Sequence, residues 1–430
     1  MMHTTAIQPL YKCFARRNLR FKQGSGVWLI SDKGERYLDL TSGIAVNALG
    51  YAHPKLVDTL KKQTEKLWHI SNLFQSPEQE AFAKRLCENS FADKVFFCNS
   101  GAEALECAFK TARHYHYASG HPTRVEIITF EGAFHGRTLA TLAATGHEKY
   151  LEGFGPKAGG FIQAPFCNER AVRNALNKNT AAILIEPIQG EGGIRTVSHD
   201  YLRFLRKICD DHNLLLILDE VQTGIGRTGK LFAYEWSDIT PDILTLAKGL
   251  GGGFPLGACL ATDKAAKSMT PGTHGSTFGG NLLGMAVGNS VLDIILEPGF
   301  LHHVQHMGNK LKSGLSSILN AYPDIICAIQ GVGLMVGIQC VVPSDVVVSA
   351  LENEYVLSVS ANNNVVRLLP PLIIKEEEID ESLHRIEKAI AYLSQTNKKG
   401  KYYKHDKCSS PLYRLICFNP TDSTRTYRLC

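Results

Sequence analysis

Two short apolar runs end on groups that can do covalent chemistry. Residues 214–218 (LLLIL) close on Asp219 and residues 243–247 (ILTLA) close on Lys248. Each run has the length and composition of a strand buried on both faces. In an open α/β sheet, ligands sit in the crevice beyond the carboxyl ends of the strands, so both charges are expected in one site. A lysine at such a place reads in two ways. It is either an amphipathic side chain whose stem covers apolar surface while the ammonium stays in water, or a partly desolvated amine that forms imines with carbonyl compounds.

The glycines that follow favour the second reading. Gly249, Gly251, Gly252 and Gly253 leave backbone without side chains, which lets a bulky ligand approach Lys248. An aspartate one strand away suits a cofactor with a protonated ring nitrogen, and pyridoxal phosphate meets both requirements. Two other patterns in this stretch fail in context. Gly224, Gly226 and Gly229 spell G-x-G-x-x-G, and Gly224 to Lys230 nearly spells a phosphate-binding loop. The loop motif needs a hydroxyl where Leu231 stands, and both need an immediate strand-to-helix turn that DEVQT and KLFAYEW interrupt.

Further polar groups follow other apolar runs. Asn99-Ser100-Gly101-Ala102-Glu103 opens a helical pattern after VFFC, and Ser100 with Glu103 forms a capping box. The same helix start would offer N–H groups and a positive dipole to a phosphate, so a bare cap and an anion site both stand. VEIITF leads to Phe134, which is either core or a face for a flat ring, and to Arg137, which is either solvated or a two-pronged carboxylate clamp. AAILIE ends on Glu186, with Gln189 and Glu191 beyond it in the Gly-rich IQGEGG, and simple exposure is one reading of a glutamate there. Ser276 and Thr277 stand among glycines, as a turn or as phosphate contacts. Arg367 precedes LLPPL and reads as a structural ion pair or as a second guanidinium near the crevice.

These groups need a scaffold that brings strand ends together. From Lys94 onward, strands alternate with helical patterns (VFFC, VEIITF, GFIQA, AAILIE, LLLILD, ILTLA, ACLAT), which predicts α/β architecture with a seven-stranded, mainly parallel sheet and helices on both faces. A hairpin is expected over residues 27–40, and helices from Pro54 and from the Ser76 capping box. A helical pattern over 291–305 and the apolar VGLMVGIQCVV open a smaller α+β domain. A helix from Glu376 to Leu393, with three glutamates at its positive end, closes it. The expected organisation is an N-terminal segment (1–50), a large domain (51–290), a small C-terminal domain (291–395) and an atypical, mobile tail (396–430).

Composition narrows the class of function. With 430 residues and 44% hydrophobic content the chain can bury a large core, and a net charge of +5 over this length does not suggest nucleic acid or a membrane surface. The longest apolar runs fall well short of the roughly 20 residues of a membrane span. The twelve cysteines lack C-x-x-C pairs and metal-ligand spacing, which points to a reducing, cytoplasmic setting and to no metal.

Taken together, DEVQTGIGRTG, LAKGLGGGFPLGA, NSGAEA, FHGRT, EPIQGEGG and HGSTFGGN closely resemble the class III pyridoxal-phosphate aminotransferases, over about Pro9 to Leu393. LDLTSGIAVNALGYAHP, LWHISN and HGSTFGG look most like the acetylornithine branch of that class. The resemblance implies a fold-type I transferase and a homodimer with sites at the subunit interface. It implies that Lys248 carries the imine and shuttles a proton, and that Asp219 pairs with the ring nitrogen beside Glu220, Val221 and Gln222. Gly101 and Ala102 would hold the phosphate with Thr277 of the other subunit, and Phe134 would cover the ring. Arg137 and Ser276 would bind the α-carboxylate of acetylornithine, and Glu191 would neutralise Arg367 until 2-oxoglutarate arrives. Leu282 departs from the proline usual after GGN, and the tail lies outside the pattern.

Overall fold

The computed structural model describes residues 10–397. At its centre lies a seven-stranded sheet: β1 (Lys94–Cys98), β2 (Glu126–Phe130), β3 (Phe161–Ala164), β4 (Thr180–Ile185), β5 (Leu215–Asp219), β6 (Ile243–Leu246) and β7 (Gly257–Ala261). Their spatial order is β1-β7-β6-β5-β4-β2-β3. All neighbours run parallel except β7, which is antiparallel to both β6 and β1. All seven expected strands are therefore present, and the sheet is mainly parallel as expected.

Alternation along the strands builds two cores. Leu215 and Ile217 of β5, with Ala182 and Leu184 of β4, face Leu105, Ala108, Phe109 and Ala112 of helix α1 (Gly101–Ala118). Leu216 and Leu218, with Ile183 and Ile185, face the opposite way into the larger core, which takes Leu202, Leu205 and Ile208 from the helix His199–His212. A period of two thus gives each buried strand an apolar side for each layer of helices.

The small C-terminal sheet is antiparallel and places Arg367, on Val365–Leu368, between the strands Met335–Cys340 and Val359–Ala361. The N-terminal hairpin (Trp28–Ser31 with Arg36–Asp39) gains a strand that the sequence pattern did not disclose, Phe21–Ser25, and a parallel partner from far along the chain, Val356–Leu357. The helical pattern over 291–305 resolves into two helices, Leu282–Ile295 and Phe300–Ala321. Pro298 and Gly299 break the path, the latter at φ 88°. Asn281 caps the first of them by accepting the Gly284 N–H at 2.8 Å, so Leu282 at the next position leaves the cap intact. The final helix runs Glu376–Asn397 with Ile379, Ile386, Ile390 and Leu393 buried. Nearly all of the expected tail lies outside the described residues. No single described helix is long and apolar enough to cross a membrane.

Candidate active site

The carboxyl ends of β1, β2, β4, β5 and β6 converge on a cavity of about 350 Å³. Gly101, Ala102, Phe134, Glu191, Asp219, Val221, Gln222 and Lys248, all singled out in the sequence, line it together with Val46, Asn99, His135 and Glu186. The cavity lies where a parallel sheet is expected to present ligand groups.

Lys248 follows β6 directly. Its backbone takes a left-handed φ of 47°, uncommon for a residue with a Cβ and a form of strain that tends to gather at functional positions. The side chain is half-buried on the cavity wall, and burial, then the nearby Arg367 cation, pushes its proton affinity down to about 8. A substantial fraction of the amine is therefore neutral and nucleophilic near physiological pH.

Asp219 ends β5 and is buried. Its Oδ1 accepts the Val221 N–H at 3.0 Å and the Thr245 hydroxyl at 3.4 Å, and its Oδ2 lies 2.8 Å from His135 Nδ1. His135 is itself buried, and its Nε2 has no hydrogen-bond partner. If Nδ1 carries the proton and donates to the carboxylate, the unpartnered atom is an acceptor, which costs less than burying an unpaired donor beside a full positive charge. Three groups thus fix the aspartate in one orientation.

On the opposite wall, Ser100 caps α1, accepting the Glu103 N–H at 3.3 Å. The reciprocal arm of the capping box reaches one residue further back, from Glu103 Oε2 to the Asn99 N–H at 2.8 Å. The N–H groups of Gly101 and Ala102 have no intrahelical acceptor because they stand in the first turn. The wall is tight here: a Cβ on Gly101 would meet Val221 Cγ1 at 2.8 Å. A small anion fits against bare backbone at a positive helix end.

Glu191 and Arg367 form an ion pair at 2.7 Å, with Arg367 only 1% exposed. Arg367 also donates to Gln222 Oε1 at 3.1 Å, and its Nε has no partner. Gln222 is thereby committed to the guanidinium. The pair sits at the cavity edge and is the only ion pair there formed across the small sheet and the strand ends among the described residues.

Arg367 reaches the cavity only through Glu191 and Gln222 and does not line it, and four further expected positions lie elsewhere. Glu220 does not line the cavity: side chains alternate at the strand end, and its carboxylate turns inward to accept the Ala233 and Tyr234 N–H groups at 2.6 and 2.9 Å and the Thr223 hydroxyl at 3.1 Å. It fastens the G-x-G-x-x-G turn. Arg137 is exposed, with its guanidinium 4.0 Å from the Tyr150 ring centre and 5.3 Å from that of Phe134. Ser276 lies in a separate hollow with Asn72, Gln79 and His274, and Thr277 is exposed. Within one chain these three do not enter the cavity.

The sequence reading also missed several lining residues. His135 lay inside the FHGRT segment but drew no notice, because only the fold reveals that it faces Asp219. Glu186 was named as a strand end with simple exposure as one reading, and is instead 6% exposed, its Oε1 accepting the Phe134 N–H at 2.9 Å. Val46 follows a turn at Ser42–Ala45 in which Ser42, Gly43, Ile44 and Ala45 all take positive φ, a geometry that local composition does not announce.

The donor set suits pyridoxal phosphate: a desolvated amine, a thrice-held carboxylate, an aromatic face, and a helix start where a side chain on Gly101 would collide with the wall. The model for class III aminotransferases matches residues 14–390. The acetylornithine aminotransferase of Brucella melitensis is 59% identical over 93% of this chain and all of its own length. That of Agrobacterium fabrum is 59% identical over 92% of this chain and 99% of its own. Among solved structures, ornithine aminotransferase from Toxoplasma gondii superimposes with a TM-score of 0.87 at 30% identity, covering 90% of this chain and 94% of that one. N-acetylornithine aminotransferase from Stenotrophomonas maltophilia does so with 0.79 at 35% identity, covering 89% and 98%. The chain belongs to the class III aminotransferases, which are pyridoxal-phosphate enzymes.

Proposed function

We propose that the protein transfers the δ-amino group of N2-acetylornithine to 2-oxoglutarate, giving N-acetylglutamate 5-semialdehyde and glutamate. The observation that carries this reading is the desolvated Lys248 amine in one cavity with Asp219 and the Glu191–Arg367 pair, in a chain 59% identical to enzymes named for this substrate. A relative from Photorhabdus laumondii, 46% identical, is named for both acetylornithine and succinyldiaminopimelate, which supports that donor as a second substrate.

Pyridoxal phosphate, when bound, supplies an aldehyde that takes up the amino group and a ring that accepts electrons. Lys248 would tether it and, once freed by the donor, carry a proton to and from the substrate carbon. Asp219 would hold a proton on the ring nitrogen, with its own orientation set by His135, Val221 and Thr245. The Gly101 and Ala102 amides would take the phosphate, and Phe134 with Val46 and Val221 would exclude water from the ring. While Glu191 neutralises Arg367, a donor without a second free carboxylate is tolerated. When the pair opens, Arg367 binds a carboxylate of 2-oxoglutarate, so one cavity serves two substrates in turn.

The protein is further proposed to act as a cytoplasmic homodimer. Asn72 Nδ2 donates to the carbonyls of Ser276 and Gly279 at 3.0 Å each, and His69 packs on Phe278 at 5.4 Å, so two loops form one patch. Along it the large apolar side chains of Leu67, Trp68, Leu73, Phe74 and Phe278 are exposed, the kind of surface that marks a protein–protein contact. A second copy covering it would bring Ser276 and Thr277 to the partner's cavity.

A donor panel tests the substrate assignment. Acetylornithine with 2-oxoglutarate is expected to turn over faster than ornithine or 4-aminobutyrate. Turnover of 4-aminobutyrate but not acetylornithine would overturn it.

A further inference from the structure

Glu186 stands after the last residue of β4, in the floor of the cavity, and nothing above assigns it a task. Its environment differs from that of the other two carboxyl groups there. Asp219 receives three hydrogen bonds, one of them from His135, and Glu191 holds the Arg367 guanidinium. Glu186 receives only the Phe134 N–H on Oε1, with no protein partner for Oε2 among the described residues. Two carboxyl groups of the cavity thus already have several partners, whereas a charge on Glu186 would be buried and held by one amide. Such a group takes a proton instead.

The surrounding charges point the same way. Burial first, then Asp219, raise the Glu186 proton affinity well above the ordinary range, with Glu191 adding to this. The Phe134 N–H and Lys248 oppose it without reversing it. The His135 ring on the neighbouring loop is turned to Asp219, and the Arg367 guanidinium to Glu191 and Gln222, so neither side chain is free to pair with Glu186. An ionised Glu186 would also favour the ammonium form of Lys248 and remove the nucleophile that the site depends on.

We propose that Glu186 works as a neutral carboxylic acid, its carbonyl oxygen fixing the Phe134 backbone and its hydroxyl donating a hydrogen bond into the cavity, toward an anionic oxygen of the bound ligand. The proposal rests on reading this cavity as the pyridoxal-phosphate pocket and adds a donor to it. It also makes Glu186 a positioning residue, because Phe134 is the face against which a flat ring would lie.

Infrared spectroscopy of the protein without cofactor tests the protonation directly. A protonated-carboxyl carbonyl band is expected near neutral pH, lost in Glu186→Gln and bleached in the wild-type protein only on the alkaline side. Cofactor affinity, read by absorbance, is expected to stay close to wild type in Glu186→Gln, whose amide can accept and donate as the acid does. It is expected to fall about tenfold or more in Glu186→Leu, the worth of one hydrogen bond to a charged oxygen. Absence of the band at neutral pH, or equal loss of affinity in both variants, would overturn the proposal. Glu220, which burial raises only to about 7, contributes to the band at neutral pH, so the part that persists on the alkaline side of that value is the Glu186 signal, and its absence there overturns the proposal even if a variant fails to fold. A protein that shows the band but binds no pyridoxal phosphate would refute the cofactor reading and leave the neutral acid standing.

Discussion

On the proposed reading the chemistry centres on Lys248, and its lowered proton affinity gives the first prediction. In the folded chain it titrates at about 8 rather than at the ordinary 10.5. Between those values the unfolded chain binds more protons than the folded one, so the stability of the cofactor-free protein rises with pH across that window. The added stability is fully present above 10.5 and absent below 8. Lys248→Met is expected to flatten that slope in denaturant titrations taken at several pH values. An unchanged slope would place the amine in water. Removing the neutralising carboxylate, by Glu191→Ala, is expected to leave a buried guanidinium uncompensated. It should raise KM for acetylornithine by about tenfold or more while affecting glutamate less, a split read from the two half-reactions. Lys248 was legible in the sequence because a charge at the end of an apolar run is a local pattern, and Glu191 drew its role from the family resemblance. Glu186 also ends such a run, but its burial was not legible, and His135 drew no notice, since what matters about both is which strand end they face.

The element that carries the anion site is helix α1, packed on β7 and against the loop after β5. Gly101→Ala would drive a Cβ into Val221, 2.8 Å away on that loop, and is expected to weaken cofactor binding at least about tenfold, with Val221→Ala restoring part of the loss. Equilibrium binding read by absorbance checks both variants. No loss in Gly101→Ala would mean that the wall yields without consequence. At this scale the sequence reading did well wherever burial imposes a pattern. The seven strands of the central sheet showed as apolar runs, and the Ser76 and Ser100 caps as Ser-x-x-Gln/Glu, because a strand buried on both faces and an unsatisfied helix start each demand particular residue types. Phe21–Ser25 escaped notice because it is a mostly exposed edge strand of FKQGS, with no alternation to read. The Ser42–Ala45 turn escaped because it places Ile44 and Ala45 at positive φ, where tertiary contacts override local preference.

For the whole molecule, the exposed apolar side chains and the placing of Ser276 and Thr277 outside their own cavity are what the proposed second copy would account for. A charge at the centre of the patch, Leu73→Asp with Phe74→Asp, is expected to yield monomers in sedimentation analysis. Activity is expected to be lost with the dimer, because the 275–279 loop would no longer reach a neighbouring cavity. Monomers that retain full activity would show that each chain completes its own site. Resemblance to a family, not residue pattern, led to this expectation. Nothing in Gly275-Ser276-Thr277 distinguishes a surface turn from a contact made in another subunit, and the single chain shows only that these residues do not line their own cavity.

The account turns on one covalent attachment, and visible absorbance reads it. With pyridoxal phosphate added, the purified protein should become yellow, lose that absorbance on addition of acetylornithine, and regain it with 2-oxoglutarate. Lys248→Ala should bind the cofactor without completing the cycle, its turnover reduced by about 10³-fold or more. Near-normal turnover in Lys248→Ala, or no spectral response of the wild-type protein to either substrate, would contradict the account.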